Sequence, residues 1–318
     1  MTLPNNPLTN NLSTVVPSVR TTDTGNLSLL PLISPSQWNA YPTGLSGQIL
    51  LPGGTQLEQT LALFTVIQQA TSYADEYCFG GYGGFVARNF VQEDRVRILN
   101  GTIKLRCIVP PLALTGLNFP LMNYTTPLSP TAQISGRIIT YALDSMSFDS
   151  TAYGYFSSPY ASGDVWVQWM YVGGWAHTSL AEDVISGATT ITLTPNQSNG
   201  TVAGLYVGQT LWIQDPINGV EPITIQSVSG STVTLQDPLQ FAHTIPANPD
   251  FIAVTAVPES VRTAAILLTS MYVLNRGDQV IALNPMRSSP PAQGAGNQSD
   301  LEQQAINLLS TYTVRWLG

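Results

Sequence analysis

Charge is what this sequence has least of. Asp, Glu, Lys and Arg make up 9% of the 318 residues, against roughly 25% in an average soluble domain. Lysine is reduced to Lys104, and eleven basic against nineteen acidic side chains leave a formal net charge of −8. A surface this poor in charge is either wetted by neutral Asn, Gln, Ser, Thr and Tyr or covered by neighbouring subunits, because interface cores are depleted in Lys, Glu and Asp. The acidity also argues against a phosphate-gripping surface unless the arginines cluster. Cys78 and Cys107 are the only cysteines; they are too few for a disulfide framework and lack metal-ligand spacing, so both are expected reduced. Long apolar runs are missing too. The best candidate, Ala264 to Leu274, is about half the ~20 residues a bilayer requires. Met1 to Pro7 has neither a cationic segment nor an apolar run, so no signal peptide is expected. The expectation is a soluble protein with no membrane partner, made in a cytoplasm.

Catalytic signatures are equally sparse. There is no Gly-x-Ser-x-Gly elbow, His-Glu-x-x-His pair or Walker loop. His177 and His243 are the only histidines, and both are read as hydrogen-bonded structural residues. Asp144, Asp149, Asp164, Glu182 and Asp183 could in principle pair for glycoside chemistry, but turns use Asp routinely and sequence cannot bring any two to working separation. No enzyme is expected, and no catalytic residue, metal ligand or cofactor site is assigned.

What is present is a chain long enough for a large core and for one to three domains. Residues 1 to 45 are rich in Asn, Thr, Ser and Pro without a sustained period, the pattern of an extended N-terminal arm. That arm is either a disordered tail or, given Leu27, Leu29, Leu30, Leu32 and Ile33, laid on a neighbour. Thr55 and Glu58 form a Thr-x-x-Glu capping box. Leu57, Leu61, Phe64, Ile67, Ala70, Ala74 and Tyr77 then recur at helical spacing until Gly80 to Gly84 ends the run. Glycines that follow a helix do not make a phosphate loop, which needs them to open one. Phe85 to about Thr178 reads as strands. Arg95 to Leu99 and Thr102 to Arg106 flank an Asn100-Gly101 hairpin turn. Val165 to Val172 (VWVQWMYV) is apolar on both alternating faces, as in a buried central strand or one covered by another subunit. Residues 179 to 256 show short strands punctuated by Gly and Asn, suggesting an inserted all-β barrel or sandwich. Helical signals resume at Pro258, with Val261, Ala265, Leu268 and Tyr272 on one face up to Arg276-Gly277. A breaker-rich loop from Asp278 to Gln298 follows. Ser299 with Glu302 makes a second capping box, and Leu301, Ala305, Leu308 and Tyr312 supply a last amphipathic stripe. The fold class expected is α+β: a small helical bundle with a β-strand region and an inserted all-β module.

This order resembles the head-to-tail adaptor, or connector, proteins of tailed bacteriophages. Gln56 to Cys78 is similar to the family's opening helix, which ends near an acidic residue and a tyrosine, here Asp75-Glu-Tyr77. Val172 to Leu180 (VGGWAHTSL) resembles the segment that precedes an insertion in some members. Gly187 to Leu193 (GATTITL), Val207 to Leu211 (VGQTL), Glu221, Val228 to Leu235 (VSGSTVTL) and Phe241-Ala-His243 look like a β module found in adaptors of long-tailed phages. Val257 to Leu268 (VPESVRTAAILL), running to Asn275-Arg276 and then a long loop and a short acidic-capped helix, is similar to the family's closing pattern. The resemblance covers roughly residues 50 to 318. The long arm and the stretched strand region from Phe119 to Tyr160 depart from it.

The order of these signals gives a domain plan of arm 1–45, core 46–178 plus 257–318, and inserted module 179–256, with the core as the part that resembles an adaptor. The resemblance implies a closed ring of identical subunits, commonly twelve, in the virion neck between the portal protein and a downstream neck or tail protein. Double-stranded DNA would pass through the lumen without sequence-specific binding, along an acidic or neutral wall. Apolar residues in the flexible terminal segments, Val280, Ile281, Leu283, Met286, Trp316 and Leu317, are the expected portal contacts. Two alternatives stay open within the virion: a tail terminator or capsid-decorating protein, and a tail-fibre or adhesion protein whose β module stacks aromatic side chains on sugars. The three capped helices weigh against adhesion, because such proteins are usually all-β.

Overall fold

The structure is a computed structural model that describes residues 18–21, 30–99, 101–119, 124–126, 132–142, 163–282 and 294–313, with backbone alone for 18–21, 124–126, 163, 277–282 and 294–299. It is α+β, and the chain divides into two compact units: 1–24 with 88–174, and 25–87 with 175–318. These boundaries cut the sequence differently from the three-part plan. The strand region stands by itself, and residues 179–256 group with the helices.

Unit 1 is one antiparallel sheet. Its strands are β1 (Ser18–Thr21), β2 (Arg88–Leu99), β3 (Thr102–Arg106), β4 (Pro111–Phe119), β5 (Tyr124–Thr126), β6 (Gln133–Ser135), β7 (Ile138–Ala142) and β8 (Gly163–Gly173). The order is β5-β4-β8-β2-β3-β7-β6, with β1 added beside β2. The long partners are β2 and β8, in register from Arg88 opposite Gly173 to Ile98 opposite Gly163. Along β8, Val165, Val167, Trp169 and Tyr171 are buried while Trp166, Gln168, Met170 and Val172 are half-buried, so the apolar run serves a central strand flanked by β2 and β4. β2 and β3 pair as the expected hairpin, with Leu99 opposite Thr102, and Gly101 takes a φ of 68°, the positive φ that a tight hairpin turn favours. Side chains alternate across a strand, so Val96, Ile98, Ile103 and Leu105 point into the core and Arg95, Arg97, Lys104 and Arg106 point out. Buried Gln92 ties the far end of β3: its amide donates to the Arg106 carbonyl (2.8 Å) and its Oε1 accepts from the Ile108 N–H (3.3 Å).

Unit 2 combines four helices, α1 (Pro35–Ala40), α2 (Gln56–Phe79), α3 (Glu259–Ala282) and α4 (Gly294–Leu309), with six strands: β9 (His177–Ser179), β10 (Thr190–Thr192), β11 (Thr210–Asp215), β12 (Gly219–Ser229), β13 (Thr232–Leu235) and β14 (Ala253–Thr255). The chain leaves this unit at Ala87 and returns at Trp175, where the Ala87 N–H donates to the Trp175 carbonyl (2.7 Å). The antiparallel sheet runs β10-β13-β12-β11-β14-β9. It curls until its outer strands meet: the Thr194 N–H donates to the Ser179 carbonyl (2.8 Å) and the Ala181 N–H to the Thr192 carbonyl (2.9 Å). Leu180, Leu193, Ile213, Ile225 and Val233 fill its interior.

The segment expected to be an arm is in part core. Leu32, Ile33 and Trp38 are fully buried in their own chain. The Trp38 indole donates to Ser270 Oγ (3.1 Å) and the Leu32 N–H to Thr71 Oγ1 (3.2 Å). A Ser34–Gln37 capping box starts α1. The Thr55–Glu58 box starts α2 as expected, but the buried face is Leu63, Val66, Ile67, Ala70, Ala74 and Cys78, while Leu57, Leu61 and Tyr77 are exposed. The first two turns of α2 lie outside the packed region, which shifts the stripe. Helix α3 runs six residues past Arg276 to Ala282, and α4 begins at Gly294, so Ser299 lies inside a helix and not at its N-terminus. Serine costs little within a helix, and Glu302 is engaged elsewhere, accepting from the Tyr73 hydroxyl (2.7 Å). That bond, with burial, pushes the Tyr73 phenol up to about 12. Helices α2, α3 and α4 contact one another. Phe79, Phe85, Trp175 and Tyr312 close their lower end, with ring centroids 4.8 to 6.1 Å apart. Among the described residues no helix is long and apolar enough to cross a membrane.

Candidate functional site

The densest polar constellation lies within the β module of unit 2. Asp215 ends β11, Glu221 sits in β12, and His243 follows β13. His243 Nδ1 is 2.9 Å from Asp215 Oδ2 and Nε2 is 3.8 Å from Glu221 Oε1, with all three side chains buried. Each carboxylate is also committed to backbone. Asp215 Oδ1 accepts from the N–H groups of Ile217 (2.9 Å) and Asn218 (3.1 Å), and Glu221 Oε2 from those of Gln240 and Phe241 (3.1 Å each). Burial alone would raise the Asp215 carboxyl, but the bonds from His243, Asn218 and Ile217 outweigh it and hold it below the ordinary range. An acid–imidazole–acid line can relay protons where a nucleophile or substrate meets it. Here His243 is fully buried, and its backbone exchanges two 2.9 Å bonds with Val184. The geometry is that of a polar tie from the segment after β13 to the end of β11, with His243 Nε2 and Glu221 Oε1 facing each other without a hydrogen bond.

His177 is a second tie. Nδ1 is 2.9 Å from Thr255 Oγ1 and Nε2 is 2.8 Å from the Pro31 carbonyl, which joins β9 to β14 and to the segment before α1. Burial drives its pKa down to about 4, against a smaller upward pull from the Pro31 carbonyl. Accepting at Pro31 requires the proton on Nε2, so the neutral ring donates there and accepts from Thr255.

The glycine-rich turn after α2 has the form of an anion nest, and its anion is internal. Asp75 receives the Gly83 N–H (2.5 Å) and the Gly84 N–H (2.6 Å). Gly80, Gly81 and Gly83 have φ of 65°, 81° and 73°, and a Cβ on Gly84 would lie 2.5 Å from the Phe79 ring.

Asp164 is exposed beside Arg95 at 3.6 Å, Asp183 accepts from the Ile245 N–H (2.7 Å), Glu182 is exposed, and Asp144 and Asp149 lie outside the described residues. Among the described residues no group of three His, Cys, Asp or Glu side chains is arranged to hold a metal ion. Both cysteines are buried thiols outside any disulfide, and burial pushes the Cys107 thiol up to about 12. Of the expected portal contacts, Val280 and Ile281 fall on the last turns of α3, with only their backbone described. Leu283, Met286, Trp316 and Leu317 lie outside the described residues.

Two surface features were not singled out from sequence. Large apolar side chains stand exposed on unit 2: Leu57 (55%) and Leu61 (46%) one turn apart on α2, and Ile185 (74%), Val207 (65%), Trp212 (44%) and Ile217 (80%) on the β module. On unit 1, the outward cations of β2 and β3 line a groove of about 390 Å³ with Asp94 and Thr102 on its walls. The available signal was the RVR and KLR alternation on either side of the Asn-Gly turn. No protein-family model, no curated protein and no solved structure matches the chain.

Proposed function

We propose that this chain is a non-enzymatic structural protein of a tailed-phage neck, a head-to-tail adaptor that forms a ring of identical subunits, commonly twelve, beneath the portal and in line with the DNA channel. The observation that carries the reading is the apolar surface of a charge-poor chain. Exposed Leu57, Leu61, Ile185, Val207, Trp212 and Ile217, in a sequence with 9% charged residues, fit surfaces that heterologous contacts between neighbours would cover. The helix, strand region, β module and closing helices follow the adaptor order in sequence. The finer fold belongs to the same reading: α2, α3 and α4 as one bundle, and the curled six-stranded sheet as a small barrel module. Downstream, the ring would meet the next neck or tail protein.

Exposed Trp212, with Tyr206 and Phe241 also exposed on the module, favours adhesion as the second reading. Light scattering on the 34.2 kDa chain separates the two: an adaptor gives monomers or a large ring, an adhesion fibre gives trimers. The docking test uses portal rings from the same virion. Trp316→Ala, or removal of residues 313–318, should leave the subunit folded and weaken its capture by portal. Undiminished capture would move the docking surface elsewhere.

A further inference from the structure

Charge is segregated along this chain. Unit 1 holds seven of the eleven Lys and Arg residues and six of the nineteen Asp and Glu residues, so it stands at +1 and unit 2 at −9. Four of the seven cations, Arg95, Arg97, Lys104 and Arg106, are exposed and line one groove between β2 and β3. Alternation repeats them at roughly 7 Å along each strand. Two carboxylates temper the site. Asp94 accepts the Arg95 backbone N–H (2.7 Å), and Asp164 lies 3.6 Å from the Arg95 guanidinium.

From this geometry we infer that the β2–β3 groove is a binding site for the phosphate backbone of double-stranded DNA, without sequence preference. Three of the four cations are arginines, whose planar forks grip phosphate oxygens bidentately. A single strand would need exposed aromatic rings on which to stack its bases, whereas the groove's aromatic, Trp169, is 1% exposed. A protein partner would want a cluster of apolar or aromatic anchors, whereas the exposed apolar side chain on these walls is Leu99 at the end of β2, beside four cations. The net charge of −8 does not forbid binding, because at ordinary ionic strength charges beyond about 8–10 Å are screened and the local cations dominate. The inference rests on the neck reading only for the identity of the polyanion. It revises the expectation of an acidic or neutral wall by placing a weak grip on unit 1.

The test is fluorescence anisotropy of a labelled random-sequence duplex titrated with the full chain at 50 and 200 mM salt. Light scattering on the same samples reads the oligomeric state. Four phosphate contacts predict an affinity roughly a hundredfold weaker at the higher salt. Arg95→Ser, Arg97→Ser, Lys104→Ser and Arg106→Ser combined should weaken duplex binding at least tenfold at 50 mM with an unchanged melting temperature, while Arg276→Ser in unit 2 leaves it intact. The inference is overturned if the parent fails to bind duplex at 50 mM, if the fourfold variant binds as the parent does, or if single strands or polyglutamate bind as well as duplex. A ring-forming chain that ignores DNA sinks the groove and spares the neck reading. A chain that binds DNA through the groove but neither forms rings nor meets portal does the reverse.

Discussion

His177 is neutral because there is no room for solvent around it. Its folded pKa of about 4 lies below the ordinary value of 6.5, so between these the unfolded chain binds a proton that the folded chain refuses. Stability from this residue is therefore complete above pH 6.5 and is lost as pH falls toward 4, by at most about 3 kcal/mol. Asp215, whose carboxyl is held below its ordinary 3.8, adds a separate loss only below that value. We expect the melting temperature of the parent to fall through the first window, and that of His177→Gln to start lower and change less between pH 6.5 and 4.5. Parallel melting curves for the two would show that another group governs acid sensitivity. Both histidines were legible as structural from their segments. Their partners were not, because Pro31 lies 146 residues from His177 and no local pattern pairs them.

At the scale of elements, Asp75 determines how α2 ends. It accepts two N–H groups of the glycine turn, so Asp75→Ala leaves both donors buried and unsatisfied. That should cost about 2–4 kcal/mol, read as a lower denaturant midpoint, whereas Glu76→Ala on the exposed side should change it little. Equal effects would mean that the turn is held by its backbone alone. The element pattern was readable where local chemistry is strong: the Thr55–Glu58 box, the β2–β3 hairpin and the alternating strands of residues 188–235 all stand where expected. It failed where tertiary packing decides. Leu57 and Leu61 have the helical period of core residues, yet the packed part of α2 begins only at Leu63. Residues 30–45 look like a tail because they carry no sustained period, yet the buried Leu32 and Trp38 find partners 39 and 232 residues away. Ser299 mimicked a cap because sequence cannot tell an N-terminus from a serine inside a helix whose start is set by packing on α3.

For the whole molecule, the sequence plan separated the β module from the helices, whereas the compact units separate the 88–174 sheet from everything else. The reason is the pairing of β9 with β14 and the link of His177 to Pro31, long-range contacts that build the module into the helical unit. Excising residues 179–256 should therefore remove helical signal as well as the strands. Charge scarcity and exposed aliphatic side chains then find one explanation in repeated contact between copies. The ring claim is tested most directly by electron cryo-microscopy of the purified virion neck with this chain traced in the map. The expected map shows a closed ring of identical copies directly beneath the portal, with Leu57, Leu61 and Ile217 covered by neighbours. Tracing of the chain to a trimeric fibre or to the capsid surface, or to a ring in which those residues remain open to solvent, would contradict it.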